Sequence, residues 1–315
     1  MISYQEAEKI FNLPFFELLY QAHTIHKKYS KNPNEIQLNT LLSIQTGGCS
    51  EDCAYCAQSI KNKTKLPKQM ITDINTIIEA AKKAKSMGSS RFCMGSSGRC
   101  PTKEVFDIVC QAVKEVKKLG METCVTMGTL SEEQVQILKD AGLDYYNHNI
   151  DTSREHYKNI ITTRSIDERI STIEKIQKYN INVCSGGILG IGETNEDRIK
   201  MLVLLANLKT PPKSVPINKL VKIPGTPLEN SEDIDIFDFV RTIALARILL
   251  PTSYVKIAAG RENMSDELQA LCFFAGANSI FVGEKLLTTP NSNIEKDKNL
   301  LKRLNLSIQQ NPGSL

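Results

Sequence analysis

The stretch ETCVTMGTLSEEQVQILKDAGLDYYNHNI, residues 122–150, contains one complete strand–helix–strand unit. Its first six and last six residues are rich in β-branched and aromatic side chains, as is typical of short buried strands. Residues 131–141, between them, have apolar side chains at helical spacing, and Gly142 is a helix stop signal. A strand, a helix and a second strand in this order predict a βαβ unit with parallel strands.

The same alternation recurs along the chain. Eight strand-like runs are predicted, at residues 41–46, 91–94, 122–127, 145–150, 182–188, 215–221, 254–258 and 279–282. Helical patterns separate them, at residues 74–87, 103–119, 131–141, 166–179, 196–208, 234–250 and 265–275. Eight such units in roughly 250 residues predict an α/β fold of the (β/α)8 TIM barrel type. A doubly wound open sheet, which usually has fewer strands, is the alternative.

The segments outside this repeat define the expected domain organisation. Residues 1–36 precede the barrel and contain two helical patterns, at 3–11 and 14–29, so we expect an N-terminal helical extension that covers the lower end of the barrel. The barrel is predicted over residues 37–290. Residues 291–315 are predicted to form a C-terminal tail, in which the mixed-charge stretch 296–303 is a solvated helix.

Composition limits the class of protein. With 41% hydrophobic and 23% charged residues, the 315-residue chain is typical of a globular protein with a sizeable core. The net charge of +4 is too small and too dispersed to predict a nucleic-acid partner. No apolar run reaches the roughly 18 residues that a membrane span needs, and the first 19 residues lack a signal-peptide pattern. We therefore expect a cytoplasmic protein whose nine cysteines serve metal or redox chemistry rather than disulfides.

Three of these cysteines lie within eight residues, in the run GGCSEDCAYCAQ at 47–58. Cys49, Cys53 and Cys56 can bind three irons of one cubane iron–sulfur cluster and leave the fourth iron without a protein ligand. A closed zinc site needs a fourth Cys or His, and the nearest histidines are His26 upstream and His148 downstream. An open iron can bind a small molecule, so the motif indicates catalysis. A zinc site with a distant fourth ligand is the alternative.

Strand parity predicts an unusually polar barrel interior. In residues 254–258, Val255 and Ile257 should face the helices, so Lys256 should point into the lumen. The same reasoning places further thiols, amides and a carboxylate inside: Cys93, Cys124, Asn147, Asn149, Asp151, Cys184 and Asn218. TIM-barrel interiors are normally apolar, and an unpartnered buried polar group costs about 1–3 kcal/mol. The pattern therefore predicts a ligand or metal in the lumen.

The alternative for each mid-strand cysteine is that it packs as a small hydrophobic residue. That interpretation is retained for Cys100, Cys110 and Cys272, which lie in a predicted loop or on predicted helices. It is less favoured for Cys93, Cys124 and Cys184, because three thiols converge on one lumen.

From about residue 37 to residue 291 the chain resembles the biotin synthase family of the radical S-adenosylmethionine superfamily. The three-cysteine motif, with Tyr55 before its last thiol, points to the superfamily alone. Later motifs narrow the resemblance to the family: RFCMG at 91–95, YYNHNIDT at 145–152, VCSGGI at 183–188, PGTP at 224–227, PTSY at 251–254, AGRE at 259–262, AGANS at 275–279 and KLLTTP at 285–290.

The resemblance implies a radical reaction with two clusters. Cys49, Cys53 and Cys56 would hold a [4Fe–4S] cluster that cleaves S-adenosylmethionine to a 5′-deoxyadenosyl radical. The reaction of the family inserts sulfur into dethiobiotin to give biotin, the last step of biotin biosynthesis. A [2Fe–2S] cluster held by Cys93, Cys124 and Cys184 would be the sulfur donor. The resemblance also implies a flavodoxin- or ferredoxin-type electron donor and a homodimer.

The resemblance further assigns the ligand-binding residues. Positions for S-adenosylmethionine are Asn149, Asp151, Arg169, Gly186, Gly187 and Ile188. Positions for dethiobiotin are Asn149, Asn218, Thr288 and Thr289. A carboxylate such as Asp151 can accept both hydroxyl protons of a ribose, and a guanidinium such as that of Arg169 can bind a carboxylate through two hydrogen bonds.

One departure from the family concerns the [2Fe–2S] site. The family has an arginine as the fourth ligand, whereas this chain has Lys256. Lysine ligates a metal only as the neutral amine. Lys256 is therefore predicted either to lie beside the cluster as a ligand or counter-charge, or to form an ion pair without touching iron. The segment 98–100, Gly-Arg-Cys, also departs from the family pattern.

Two other functions remain open at this point. Another radical S-adenosylmethionine enzyme would share the first cluster and not necessarily the second. A non-catalytic iron–sulfur or zinc-binding regulator would need an aromatic or basic recognition surface, and aromatic residues make up only 6% of the chain.

Overall fold

The computed structural model describes residues 1–309. Two helices, α1 (Tyr4–Phe11) and α2 (Phe15–Tyr29), precede the barrel. The Ser3 hydroxyl accepts a hydrogen bond from the Glu6 N–H and the Glu6 carboxylate accepts one from the Ser3 N–H, so α1 begins with a capping box. Both helices bury apolar side chains, among them Phe11 and Leu18, in the main core.

The barrel strands are parallel and follow chain order. They are β1 (Glu35–Gln45), β2 (Arg91–Ser96), β3 (Glu122–Thr126), β4 (Tyr145–Asn147), β5 (Asn182–Cys184), β6 (Gly187–Leu189), β7 (Ser214–Lys219), β8 (Tyr254–Ile257) and β9 (Ser279–Phe281). Strand β1 pairs with both β2 and β9, which closes the sheet. Strands β5 and β6 both pair with β7 and share one position in the barrel. The closed eight-position barrel confirms the predicted (β/α)8 fold.

The helices surround this sheet. They are α3 (Ile74–Ser86), α4 (Lys103–Lys118), α5 (Glu132–Asp140), α6 (Arg154–Ile160), α7 (Ile166–Lys178), α8 (Asn195–Ala206), α9 (Ile236–Leu249), α10 (Asp266–Phe274) and α11 (Ile294–Arg303). Most begin at a Ser, Thr or Asp side chain that accepts a backbone hydrogen bond, for example Thr102 before α4 and Ser131 before α5. A short 3-10 helix covers Arg261–Asn263.

Two elements differ from the sequence expectations. Helix α6 was not predicted, because seven residues are too few to show a helical period. In the segment after residue 291, α11 buries Leu300 and Leu301, and β12 (Ser307–Ile308) pairs with the first residues of β1. The described part of this segment is thus packed on the barrel, and residues 310–315 lie outside the described residues. The division into 1–36, 37–290 and 291–315 stays a prediction.

Outward-facing and inward-facing side chains of the strands lie in two separate buried clusters, as the alternation along each strand predicts. Val255 and Ile257 are fully buried in the core between sheet and helices. The inward-facing Cys93, Cys124 and Cys184 form a separate buried cluster with Tyr145. No helix within residues 1–309 has the length and apolar character needed to cross a membrane.

Candidate active site

We call Cys49, Cys53 and Cys56 the loop triad. It lies between β1 and α3, at the carboxyl-terminal end of the barrel where TIM-barrel active sites are found. Gly47 and Gly48 before it have φ of +80° and +71°, the left-handed region that glycine adopts without strain. All three thiols are free and half-buried. The chain turns sharply out of the strand here and presents the thiols at the mouth.

Hydrogen bonds hold the loop triad in place without metal. The carboxylate of Asp52 accepts hydrogen bonds from the backbone N–H groups of Thr162 (3.0 Å) and Thr163 (3.2 Å). The Asn62 amide donates to the carbonyl groups of Cys53 (3.0 Å) and Cys56 (2.8 Å). The loop is thus fixed both to the segment after α6 and to its own continuation.

The loop that carries the triad also contains a buried carboxylate, Glu51, whose charge is balanced by two arginines. Glu51 is 6% exposed and forms ion pairs with Arg99 (3.1 Å) and Arg164 (3.7 Å). Arg99 also forms an ion pair with Glu168 on α7 (3.0 Å). This network ties the loop to the β2–α4 connection and to the outer helices.

The second group, Cys93, Cys124 and Cys184, is the lumen triad. Cys93 lies opposite Cys124 in the β2–β3 pairing, and Cys184 lies one strand beyond β4, opposite Asn147. The three residues are 3–5% exposed. The Cys184 Sγ lies 3.3 Å from the Ser214 Oγ. Unlike the loop triad, these thiols come from three strands whose positions are fixed by the sheet.

Two cations lie beside the lumen triad. Arg91 is fully buried, pairs with Glu122 (2.8 Å) and stacks 3.4 Å from the centre of the Tyr145 ring. Its Nη1 has no hydrogen-bond partner among the described residues. Lys256 is 1% exposed, and its Nζ lies 4.2 Å from the centre of the Phe281 ring. Within residues 1–309 no carboxylate lies within 4.0 Å of this Nζ.

The cations change the acidity of the thiols. Interaction with the Cys124 thiol, aided by Lys256 and Arg91, lowers the pKa of Cys93 and of Cys184. Interaction with its two neighbouring thiols, together with burial, raises the pKa of Cys124 well above its ordinary value. In the loop triad, burial raises the pKa of Cys53 to about 12 and also raises that of Cys56. Metal binding at the loop must therefore displace thiol protons.

The residues present fit iron–sulfur clusters. No three His, Cys, Asp or Glu side chains within residues 1–309 are close enough to hold a single metal ion. Each cysteine of a cubane binds a different iron, and in a [2Fe–2S] cluster at most two share one iron, so three thiols do not need to converge on one point. Among the described residues, one Arg91 nitrogen has no hydrogen-bond partner and Lys256 has no ion-pair partner; with three buried thiols beside them, they also match an anionic group in the lumen.

Two adjoining cavities connect the triads. The lumen cavity, about 230 Å³, is lined by the lumen triad and Lys256. The mouth cavity, about 340 Å³, is lined by the loop triad. The two share lining residues: Gln58, Ser96, Thr126, Asn147, Asn149, Asn218, Ala259, Leu286 and Leu287. A larger surface groove of about 720 Å³, beside the exposed Cys100, contains neither triad.

The residues predicted to bind S-adenosylmethionine lie around the mouth cavity. Asn149, Asp151, Arg169 and Ile188 line it. The Asp151 Oδ2 accepts a hydrogen bond from the Tyr55 hydroxyl (2.9 Å) and pairs with Arg169 (3.0 Å). Burial raises the pKa of Asp151, and Arg169 opposes that rise. Tyr55 therefore connects the loop triad to the fourth strand position.

Gly186 and Gly187, whose assignment to S-adenosylmethionine stays a prediction, lie at the start of β6 and are tightly packed. A Cβ on Gly186 would lie 2.0 Å from the Pro216 carbonyl oxygen, and one on Gly187 would lie 2.6 Å from the Asp151 carbonyl oxygen. Both glycines therefore permit close backbone packing. The packing brings Asp151, with φ of +68°, into a bridge with Gly187.

The residues predicted to bind dethiobiotin also meet at the cavities. Asn218 lines both, and its amide bridges the Gly187 carbonyl (2.9 Å) and the Ala259 N–H (3.1 Å). Thr288 and Thr289 line the mouth cavity on a hairpin formed by β10 (Lys285–Leu286) and β11 (Thr289–Pro290).

Sequence reasoning missed several residues of this site. Leu287, at the tip of the hairpin, has φ of +52° and lines both cavities. No signal in the sequence indicates that position. Phe281, beneath the Lys256 ammonium, follows from strand parity, because it lies two residues after Ser279 on β9. Gly98 lines the mouth cavity with φ of +121°, so the departure at 98–100 places a residue without a side chain there.

Two family models match separate parts of the chain. Residues 43–205 match the sequence profile of the Radical SAM superfamily, and residues 216–307 match the Biotin and Thiamin Synthesis associated domain.

Full-length relatives are highly similar. The biotin synthase of Lawsonia intracellularis is 57% identical over 308 residues, which cover 98% of this chain and 97% of that protein. The biotin synthase of Rickettsia felis is 56% identical over 304 residues, which cover 96% and 98%.

Solved structures share the fold at low identity. Methylornithine synthase superposes with a TM-score of 0.83 at 18% identity, covering 99% of this chain and 95% of that one. The FeFe-hydrogenase maturase HydG from Carboxydothermus hydrogenoformans gives a TM-score of 0.82 at 17% identity, covering 98% and 76%.

Proposed function

The chain belongs to the biotin synthase family of the radical S-adenosylmethionine superfamily, and from this membership we propose how its residues convert dethiobiotin to biotin. One observation carries the proposal: two separate cysteine triads line adjoining cavities inside one barrel. When bound, S-adenosylmethionine and the two clusters supply the carbon radical and the sulfur atom, chemistry that protein side chains do not provide.

The loop triad would hold the [4Fe–4S] cluster and the lumen triad the [2Fe–2S] cluster. The hydrogen bonds of Asp52 and Asn62 orient the loop triad toward the mouth cavity. Lys256 would lie beside the lumen cluster, as a ligand or as its counter-charge. Support for this comes from its burial and from the lack of a carboxylate within 4.0 Å among the described residues.

S-adenosylmethionine would bind in the mouth cavity. Asp151 and Asn149 are placed for its ribose hydroxyls, Arg169 for its carboxylate, and Ile188 for the adenine. The Arg169 guanidinium contacts Asp151 and also donates to the Asn149 carbonyl (2.8 Å). Arg169 therefore positions both ribose-binding residues before any ligand arrives.

Dethiobiotin would lie where the two cavities meet. Thr288 and Thr289 are placed for its carboxylate, and Asn149 and Asn218 for its ring. This position lies between the two triads, as sulfur transfer to a carbon radical requires. The low exposure of the lumen, 3–5% at the three thiols, shields a radical from side reactions with solutes in bulk solvent.

Three further features of the family complete the proposal. The protein would act in the cytoplasm as a homodimer and would take electrons from a flavodoxin- or ferredoxin-type protein. Exposed aromatic side chains on α2, Phe16 (77%) and Tyr20 (64%), support a contact between subunits. Sedimentation of the parent and of a Phe16→Glu/Tyr20→Glu variant tests the dimer.

An anaerobic assay tests the function. Protein reconstituted with iron and sulfide is mixed with dithionite, S-adenosylmethionine and dethiobiotin, and 5′-deoxyadenosine and biotin are measured. We expect both products. Deoxyadenosine without biotin would indicate another radical S-adenosylmethionine enzyme. Neither product, with both clusters intact, would indicate a non-catalytic iron–sulfur protein.

A further inference from the structure

The segment of residues 57–70, directly after the loop triad, covers that triad from the outside. The Ile60 N–H donates to the Cys49 carbonyl (2.9 Å), and the Asn62 amide donates to the carbonyls of Cys53 and Cys56. The covering segment therefore contacts the backbone of all three loop cysteines.

The far end of the segment packs on the residues before the triad. A Cβ on Gly47 would lie 2.7 Å from the Pro67 carbonyl oxygen, and one on Gly48 would lie 2.9 Å from the Lys68 side chain. The Gln69 N–H donates to the Thr46 carbonyl (2.8 Å). The outer surface of this segment is thus one layer of chain away from the loop triad.

This outer surface is strongly basic. Lys61, Lys63, Lys65 and Lys68 are all exposed, and no Asp or Glu occurs between Asp52 and Asp73. Among residues 1–309, no carboxylate lies within 4.0 Å of any of these four ammonium groups. We call the four residues the lysine patch.

Neighbouring groups do not cancel this charge. The Lys63 N–H donates to the Gly225 carbonyl, and the Gly225 N–H donates to Glu229, an exposed acid. Asp52 is occupied by Thr162 and Thr163. With four lysines and no acid of its own, the covering segment stays positive beside Glu229.

The patch also has an apolar component. Ile60 is 67% exposed and Met70 is 92% exposed. Apolar side chains ringed by charges of one sign are typical of transient protein interfaces, where complementary charge steers association. Residues 57–73 contain no Phe, Tyr or Trp on which nucleic-acid bases could stack, so a protein partner is favoured over single-stranded nucleic acid.

We propose that the lysine patch, with Ile60 and Met70, is the docking surface for an acidic electron-carrier protein that reduces the cluster of the loop triad. This inference rests on the proposed function. The carrier loses one electron, the cluster gains one, and no bond or proton is transferred. The patch lies on the segment that hydrogen-bonds the backbone of the loop cysteines, so a carrier docked there would be separated from the loop triad by that segment.

The test compares two charge reversals of equal size in the reconstituted enzyme. Lys61→Glu/Lys65→Glu/Lys68→Glu changes the lysine patch. Lys27→Glu/Lys28→Glu/Lys31→Glu is the matched control. Its exposed lysines lie at the end of α2 and just beyond it, near the amino-terminal end of β8. Deoxyadenosine formation is measured at low ionic strength with a limiting amount of reduced, negatively charged flavodoxin, and separately with excess dithionite.

We expect the patch variant to lose about tenfold or more of the flavodoxin-driven rate and to keep its dithionite-driven rate, because three reversed charges remove steering. The control should keep both rates. Raising the salt concentration should slow the parent with flavodoxin and leave the patch variant little changed. Calorimetric titration with oxidised flavodoxin should show at least about tenfold weaker binding to the patch variant.

Equal flavodoxin-driven rates in parent and patch variant would overturn the proposal, as would equal losses in the patch variant and the control. Binding of a single-stranded RNA oligonucleotide that depends on the patch, with unchanged flavodoxin kinetics, would also overturn it. If dithionite yields no deoxyadenosine in the parent, the proposed function itself fails. A Lys61→Gln/Lys65→Gln/Lys68→Gln variant, with smaller losses in the same direction, guards against misfolding of the triple glutamate variant.

Discussion

The loop triad and the lumen triad each consist of three cysteines, but the two sets lie in different structural settings. The loop triad lies in eight residues of irregular chain, held by side-chain hydrogen bonds from Asp52 and Asn62. The lumen triad is spread over about 90 residues and held by backbone pairing of β2, β3, β4 and β5. The first site is therefore sensitive to single side-chain changes, whereas the second depends on the whole barrel.

The electrostatic settings differ as well. In the loop triad, burial and Asp151 raise the pKa of Cys53. In the lumen triad, interaction with Cys124, aided by Lys256 and Arg91, lowers the pKa of Cys93 and of Cys184. A buried set of cations suits a site that must hold a negatively charged cluster away from water.

The largest effect should come from the loop triad. Cys53→Ala should reduce deoxyadenosine formation by about three orders of magnitude or more, because two protein ligands do not retain the cluster that cleaves S-adenosylmethionine. Iron bound per chain should fall from about six to about two. Cys110→Ala, on α4, is the control. Retention of the parent rate would show that Cys53 is not a ligand.

A change in the lumen triad should separate the two products. Cys184→Ala should reduce biotin formation by about two orders of magnitude or more, while deoxyadenosine formation stays within a few-fold of the parent. Both products are measured in one chromatographic run. Loss of both in equal measure would mean that the two sites are not independent. Cys272→Ala, fully buried on α10, controls for the loss of a buried thiol.

Weakening the loop anchor should have an intermediate effect. Asp52→Ala removes hydrogen bonds to Thr162 and Thr163, each worth about 0.5–1.5 kcal/mol. We expect the loop cluster to be lost to a chelator about tenfold faster, and the lumen cluster to be lost at the parent rate. The two losses are followed by their separate absorption bands. Asp107→Ala, an exposed residue on α4, should change neither rate.

The smallest effect concerns Lys256. Replacement by Met keeps an unbranched side chain and removes the charge, so we expect a shifted [2Fe–2S] absorption spectrum and a several-fold slower biotin formation. Lys256→Arg should keep the charge and give a rate closer to the parent. An unchanged spectrum in Lys256→Met would remove the ligand hypothesis and leave only the counter-charge.

The barrel could be predicted from the sequence because its signals are local. Each strand or helix pattern can be recognised within about 15 residues. The alternation of side chains along β8 places Lys256 on one face of the sheet and Val255 and Ile257 on the other. The pairing of Cys93 with Cys124 then follows from consecutive parallel strands.

The contacts that complete the site depend on distant residues and could not be predicted. Glu51 meets Arg99 across 48 positions, and Asp52 meets Thr162 across 110. The tight packing of Gly186 on the Pro216 backbone, and of Gly187 on Met201 and the Asp151 backbone, likewise joins residues that are distant in the sequence. Motif spacing carries no information about which side chains from other elements fill the remaining space.

The backbone pairing around Cys93, Cys124 and Cys184 has a consequence for assembly. Strand hydrogen bonds and the outer layer of helices, rather than metal, maintain the geometry of these three positions. We therefore expect the polypeptide to fold before iron is inserted, unlike small zinc modules, which unfold when their metal is removed. A chain synthesised during iron scarcity would remain intact and could be activated later, without new translation.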